Sequence, residues 1–149
     1  MKKQGKKAPE FFVEGAIHPL QIGESIAFHS SKTGIGAHDI FLGQVRADAL
    51  QDEVVTAIEF SAYRPMAEEV LAAIREETIE EFGLTCAHVL HSLGHVNVGE
   101  LCFMVFVSAP HRAEAFAACQ QLTNRIKAEV PIFGKILGKN HTRWKENIP

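Results

Sequence analysis

The hydrophobic pattern predicts an α+β fold, with a mixed sheet covered by two long helices. Three observations carry that reading. Residues 37–47 and 54–62 alternate apolar and polar positions, the period of half-buried strands. Met66, Val70, Ile74 and Phe82, supported by Ala67 and Leu71, recur at helical spacing and stop at Gly83. Leu101–Ala109 is apolar without interruption, as expected of a central strand covered on both faces, and a second helical segment follows it. The element order is β-β-α-β-β-α, which packs as layers of sheet and helices.

Taken in order, residues 1–10 read as a flexible lysine-rich leader and residues 11–149 as one domain. Residues 17–30 mix short apolar pairs with His18-Pro19 and Gly23, which fits either a strand or a short helix. A polar loop at residues 30–34 precedes the first alternating strand, where Gly43 marks a bulge or a close backbone approach. In residues 54–62, Val54, Thr56, Ile58 and Phe60 share one face. Pro65 suits the first turn of the helix that follows. Residues 85–93 alternate again, with Gly94 and Gly99 framing a connection. The second helix is expected over residues 111–130, with Ala113, Phe116, Ala117, Gln120, Ile126 and Val130 near one side and Pro131 ending it. Residues 131–149 are basic and glycine-bearing, and are expected to be irregular.

Composition narrows the class. Of the 149 residues, 46% are hydrophobic and 22% charged, the balance of a soluble globular domain rather than a disordered chain. The longest apolar run is too short to span a bilayer, and the start of the chain lacks the apolar stretch of a signal peptide, so a cytoplasmic location is expected. Cys86, Cys102 and Cys119 have no paired spacing and fall inside apolar patterns, as buried small hydrophobes do. The histidines form no HExxH or paired metal signature, so neither a metal nor another cofactor is expected.

The net charge of −3 conceals an asymmetry. Residues 68–81 carry a block of glutamates against Arg75, the pattern of a solvated helix face. Residues 125–145 carry Arg125, Lys127, Lys135, Lys139, Arg143 and Lys145 against Glu129 alone, a candidate anion site. Three basic clusters fall at element boundaries. Arg46 closes Gly43-Gln44-Val45-Arg46 at a strand end and is either structural or a planar donor fork for phosphate or carboxylate. His111 and Arg112 begin the second helix, where free N–H groups favour an anion, although His111 could equally cap or pack. Lys127 sits late in that helix, where it either complements the helix dipole or acts as an acid, base or electrostatic stabiliser. Arg112 and Lys127 lie roughly 22 Å apart along an unbroken helix, so a ligand touching both requires a second subunit. The acidic balance and lack of interleaved aromatics in the basic stretch argue against a nucleic-acid binder.

These segments also resemble, in collinear order over residues 36–146, the family of molybdopterin synthase large (catalytic) subunits. Phe41-Leu42-Gly43-Gln44-Val45-Arg46 is similar to its strand-end arginine motif, and Ile58-Glu59 with Tyr63 and Met66 to the segment before its first long helix. His91-x-x-Gly94 with Gly99-Glu100, and Ser108-Ala109-x-His111-Arg112 with Ala115-Phe116 and Cys119, follow. Lys127-x-x-Val130-Pro131-Ile132-Phe133 and Arg143-Trp144 complete the set.

The resemblance implies an α/β-hammerhead-type fold and a homodimer flanked by small ubiquitin-like partners, together a heterotetramer. It implies that the partner's C-terminal Gly-Gly tail carries a thiocarboxylate into a pocket of this subunit. Sulfur is then delivered twice to cyclic pyranopterin monophosphate, whose cyclic phosphate opens to give the dithiolene of molybdopterin. Arg46, His111 and Arg112, with Gln44, Val45, Gly134 and Arg143, would bind substrate, and Lys127 would be the principal catalytic residue. The pattern departs in one place. Many members carry a lysine directly after the aromatic of the proline-aromatic segment, then another base and a glutamate. Here the stretch is Phe133-Gly134-Lys135-Ile136, so Lys135, one position late, is the expected second catalytic lysine and the acid is absent. A rival expectation is a non-catalytic subunit that holds a ubiquitin-like tail or a phosphorylated metabolite.

Overall fold

The computed structural model describes residues 10–50, 53–139 and 142–145. Along it the chain runs β1 (Phe12–Glu14), α1 (Pro19–Phe28), a single 3-10 turn (His29–Ser31), β2 (Ala37–Gln44), β3 (Ala49–Leu50), β4 (Glu53–Val54), β5 (Ala57–Ala62), α2 (Arg64–Phe82), β6 (Cys86–Asn97), β7 (Leu101–Ala109), α3 (Arg112–Glu129), β8 (Ile132–Leu137) and β9 (Thr142–Trp144). The main sheet has the order β2-β7-β6-β5-β8-β9, with neighbours antiparallel, and β1 adds to β6 in parallel at His91–Leu93. β3 and β4 form a separate two-stranded ribbon. Among the described residues no helix is long and apolar enough to cross a membrane.

β7 is central because it has no polar face to spare. Phe103, Val105, Val107 and Ala109 face the layer of α2 and α3, while Met104 and Phe106 face a smaller cluster with Ile17 and Ile22 on the α1 side. The sheet is therefore covered on both sides, as the apolar run requires. α2 lays Ala67, Leu71, Ile74 and Thr78 on the sheet and stops at Gly83, whose left-handed backbone (φ 63°) suits glycine. At Gly43/Gln44 the β2–β7 register shifts by a bulge, and a Cβ on Gly43 would sit 3.1 Å from that of Phe103.

The order read from sequence is incomplete at both ends. The ambiguous segment of residues 17–30 is a helix: the His18 side chain accepts from the Leu20 N–H, Gln21 accepts from the His18 N–H, and Pro19 occupies the first turn. The segment expected to be irregular forms β8 and β9. β8 contains a glycine and a lysine and has no clean alternation, so its extended form comes from pairing along all of β5. The expected strand over residues 54–62 is interrupted: Val55 turns inward at 4% exposure and donates its N–H to Asp48, while Val54 is exposed and only Ile58 and Phe60 of the proposed face are buried. In α3 the buried face is Ala115, Ala118, Cys119, Leu122, Thr123 and Ile126, and Phe116 lies exposed. Alanines on both sides of that helix leave its amphipathic signal weak, so pattern alone selected the wrong face. The leader, residues 1–10, lies outside the described residues except Glu10.

Candidate functional site

The C-terminal end of α3 meets the sheet where β2, β5, β8 and β9 open a cleft of about 510 Å³, continuous with a second lobe of about 430 Å³. Ile126, buried at 2% exposure, anchors the last turn of α3, and Pro131 prevents its continuation. That anchorage fixes Lys127 as a wall shared by both lobes. Its ammonium lies 5.6 Å from the centre of the Phe103 ring. Burial holds its pKa below the usual lysine range, and the charge of Lys145 pushes it the same way against a small opposing effect of Cys102.

Three further cations line the first lobe. Arg46 follows the β2 bulge, with its Nε donating to Asp48 Oδ1 at 2.6 Å; the pair is solvent-exposed, so it orients the guanidinium rather than stabilising the fold. Arg143 and Lys145 arrive from β9. Its register with β8 pairs Ile136 with Arg143 and Lys135 with Trp144, and the Lys145 N–H donates to Gly134 at 2.7 Å. Strand alternation puts Arg143, Lys145, Gly134 and Ile136 on one face, and each of them lines a lobe of the cleft, while the large ring of Trp144 between the two cations also reaches both lobes. Among the described residues the sole carboxylate lining the first lobe is Asp48, already held by Arg46.

His91 lies under this cluster at 8% exposure and lines both lobes. Its Nδ1 donates to the Ser92 carbonyl at 2.7 Å, which leaves the lone pair on Nε2. Burial, reinforced by Lys127 and Lys145 and partly opposed by that hydrogen bond, brings its pKa from 6.5 down to about 4. The imidazole is neutral at physiological pH. Cys102 also lines the cleft, but burial raises its pKa and its Sγ approaches the Gly43 carbonyl at 3.5 Å, so it stays a protonated thiol. All three cysteines are buried and unpaired.

Of the residues singled out in the sequence, the structure brings Gln44, Arg46, Lys127 and Arg143 to the first lobe and Gly134 to the second. It does not bring the others. Val45 is buried at 2% and exchanges backbone hydrogen bonds with Glu100 and Gly99, so it supports the bulge instead of facing the cleft. His111 and Arg112 are exposed at the opposite end of α3, which runs unbroken from Arg112 to Glu129. Lys135 pairs across β8 with Glu59 and lies on the outer face of the sheet, away from the cleft. The sequence reading counted Lys145 within the basic stretch of residues 125–145 without giving it a role of its own, and gave none to His91. Alternation with Arg143 was the available signal for the first, but only in a segment recognised as a strand.

A second polar cluster lies on the α1 side. His29, Cys86 and His88 place their ligand-type atoms within 4.8 Å of one another. His29 Nδ1 donates to the Ser25 carbonyl at 2.6 Å, so its Nε2 accepts from His88 Nε2 at 2.9 Å. Burial, then the charges of His29, Arg75 and Lys32, lowers the His88 pKa to about 4. The hydrogen bonds account for the cluster, and the neighbouring cations oppose a bound metal ion.

Comparison with known proteins agrees with this geometry. Residues 16–129 match the family described as MoaE protein. The molybdopterin synthase catalytic subunit of Pyrococcus abyssi is 37% identical over 127 residues, covering 85% of this chain and 84% of the relative. That of Coccidioides immitis is 33% identical over 122 residues, covering 82% of this chain, and the match spans 61% of the relative's length. Among solved structures, the crystal structure of molybdopterin synthase from Staphylococcus aureus superposes with a TM-score of 0.80 at 29% identity, covering 92% of this chain and 96% of that one. A complex of subunits 1 and 2 of the molybdopterin-converting factor from Helicobacter pylori has the same fold, with a TM-score of 0.77 at 18% identity and coverage of 92% and 90%. With its cationic cleft at the end of α3 and these relatives over most of its length, this chain belongs to the MoaE family of molybdopterin synthase catalytic subunits.

Proposed function

We propose that the chain is the sulfur-transferring subunit of molybdopterin synthase. In this reading it accepts the thiocarboxylated tail of a small ubiquitin-like partner and directs its sulfur to cyclic pyranopterin monophosphate. The observation that carries the reading is the cleft itself: Lys127, Arg46, Arg143 and Lys145 surround a space of about 510 Å³ that suits a phosphorylated small molecule. The second lobe joins apolar walls at Met66, Val130, Pro131 and Phe133 to the charged Lys127, Glu129 and Lys145, which suits an extended Gly-Gly tail that ends in an anionic group. Lys127 stands between the two lobes, where the sulfur must pass. There its ammonium stabilises the oxyanion that forms as the thiocarboxylate gives up its sulfur, and its lowered pKa makes it a readier proton donor to a leaving oxygen. The sulfur arrives on another chain, in keeping with a protonated, buried Cys102.

His111 and Arg112 join the site from a second copy of the chain, because α3 keeps them roughly 22 Å from Lys127 within one copy. The assembly is then a homodimer carrying one small partner on each side. Buried thiols without disulfides fit the reducing cytoplasm. The test is reconstitution. Purified chain with the thiocarboxylated partner converts the cyclic pterin to molybdopterin, and Lys127→Ala abolishes the conversion while leaving partner binding intact. Tight partner binding with no product from the wild-type chain would favour a binding subunit without catalysis.

A further inference from the structure

We propose that Lys145, and not Lys135, is the second lysine of the cleft, and that it contacts the anionic substrate beside Lys127. The inference rests on the function proposed above and assigns a residue to it. Register is the first support. Lys145 lies opposite Gly134, to which its N–H is bonded, so its side chain leaves β9 on the face that lines both lobes. Lys135, one residue along β8, leaves on the other face beside Glu59.

Space is the second support. A Cβ built on Gly134 would lie 3.2 Å from Ile58 Cγ2, 3.4 Å from Phe60 Cε1 and 3.5 Å from Lys145 Cβ. The wall there is closed by Ile58 and Phe60, and the Cβ of a side chain on residue 134 would press Ile58 back by a few tenths of an ångström. The absence of one leaves room for the root of Lys145 within a van der Waals contact of where that side chain would begin. A lysine stem delivered from position 145 thus starts from almost the same point as one delivered from position 134. The cation is kept while the strand that carries it changes.

The third support is electrostatic. Lys145 is the charge that Lys127, His91 and Cys102 all feel. Two ammonium groups facing one cleft repel each other when it is empty and are relieved by an anion between them, so the pair favours an anionic phosphate over a neutral ligand.

The experiment compares wild type, Lys145→Ala, Lys145→Met, Lys135→Ala and Lys139→Ala in reconstituted synthase with thiocarboxylated partner. Thermal melting of each variant establishes that it is folded. Lys145→Met keeps the stem and removes only the charge. We expect both Lys145 variants to lose on the order of 100-fold in kcat/KM, and Lys139→Ala, an exposed charge outside the cleft, to stay within about threefold of wild type. In parallel, NMR of 13C-dimethylated lysines should show the Lys127 titration moving to higher pH in Lys145→Met, and inorganic phosphate binding more weakly to that variant. Wild-type turnover by Lys145→Met, or a loss that appears at Lys135→Ala instead, overturns the assignment. An inactive wild-type complex would count against the proposed function, and the phosphate and titration measurements would still decide whether Lys145 belongs to the cleft.

Discussion

Lowering the pH should destabilise this protein through His91. The folded chain holds this imidazole neutral, with a pKa of about 4 against the usual 6.5. Unfolding exposes it, so below pH 6.5 the unfolded chain binds a proton that the folded chain refuses. Stability is complete above that pH and is lost as pH falls from 6.5 towards 4, where the folded form begins to protonate too. A gap of about 2.5 pH units corresponds to about 3 kcal/mol in the limit, and to about 2 kcal/mol between pH 7 and pH 4.5 by the same linkage. The size follows from the setting: an 8% exposed ring between Phe60 and Phe103, with Lys127 and Lys145 adding repulsion. Urea unfolding at fixed protein concentration, at pH 7 and 4.5, measures the effect in wild type and in His91→Gln. The variant loses the hydrogen bond to Ser92, an offset common to both pH values, so the comparison is of slopes. Wild type should lose about 2 kcal/mol more than the variant over that interval. Equal losses would refute the reasoning, because they would mean that His91 is protonated in the folded chain or wet enough to titrate normally.

Two other substitutions test the frame that holds the cleft. Leu71→Ala, at a fully buried α2 position, should cost about 3 kcal/mol and lower the melting midpoint by roughly 9 °C, measured by calorimetry. Gly83→Ala places a Cβ in open space but demands a left-handed backbone, so it isolates the conformational term. Its expected cost is about 1 kcal/mol by urea unfolding, and a smaller change than that would mean the helix end relaxes.

The parts of the fold legible in the sequence were those whose pattern and partner agreed. The continuous run of Leu101–Ala109 could only be a doubly covered strand, and the α2 stripe ended at a glycine with positive φ. Gly43 announced its bulge for the same reason, a close approach that a Cβ would obstruct. What escaped was structure imposed from outside the segment. β8 is extended because β5 pairs with it, and nothing in Ile-Phe-Gly-Lys-Ile-Leu requires that. Once the segment is a strand, alternation decides which lysine faces the cleft, and the sequence reading, without the strand, settled on Lys135. Arg46 and Lys127 drew attention because strand ends and helix ends are where chains gather donors, whereas Gln44 and Arg143 were assigned roles through the family resemblance; all four line the cleft. The separation of Arg112 from Lys127 along one helix followed from helix length alone.

β9 is the last element described, three residues at the sheet edge with β8 as its neighbour there. Among the described residues, two of the four cations around the cleft, Arg143 and Lys145, are carried by it or directly after it. The charge of the site is therefore partly a property of a detachable strand. Peeling β9 away would halve the positive charge at the cleft and leave the core among β5, β6, β7 and the helices untouched. Substrate affinity is thus coupled to a local equilibrium that global unfolding does not report, and an anion in the cleft is itself a fastener for the strand.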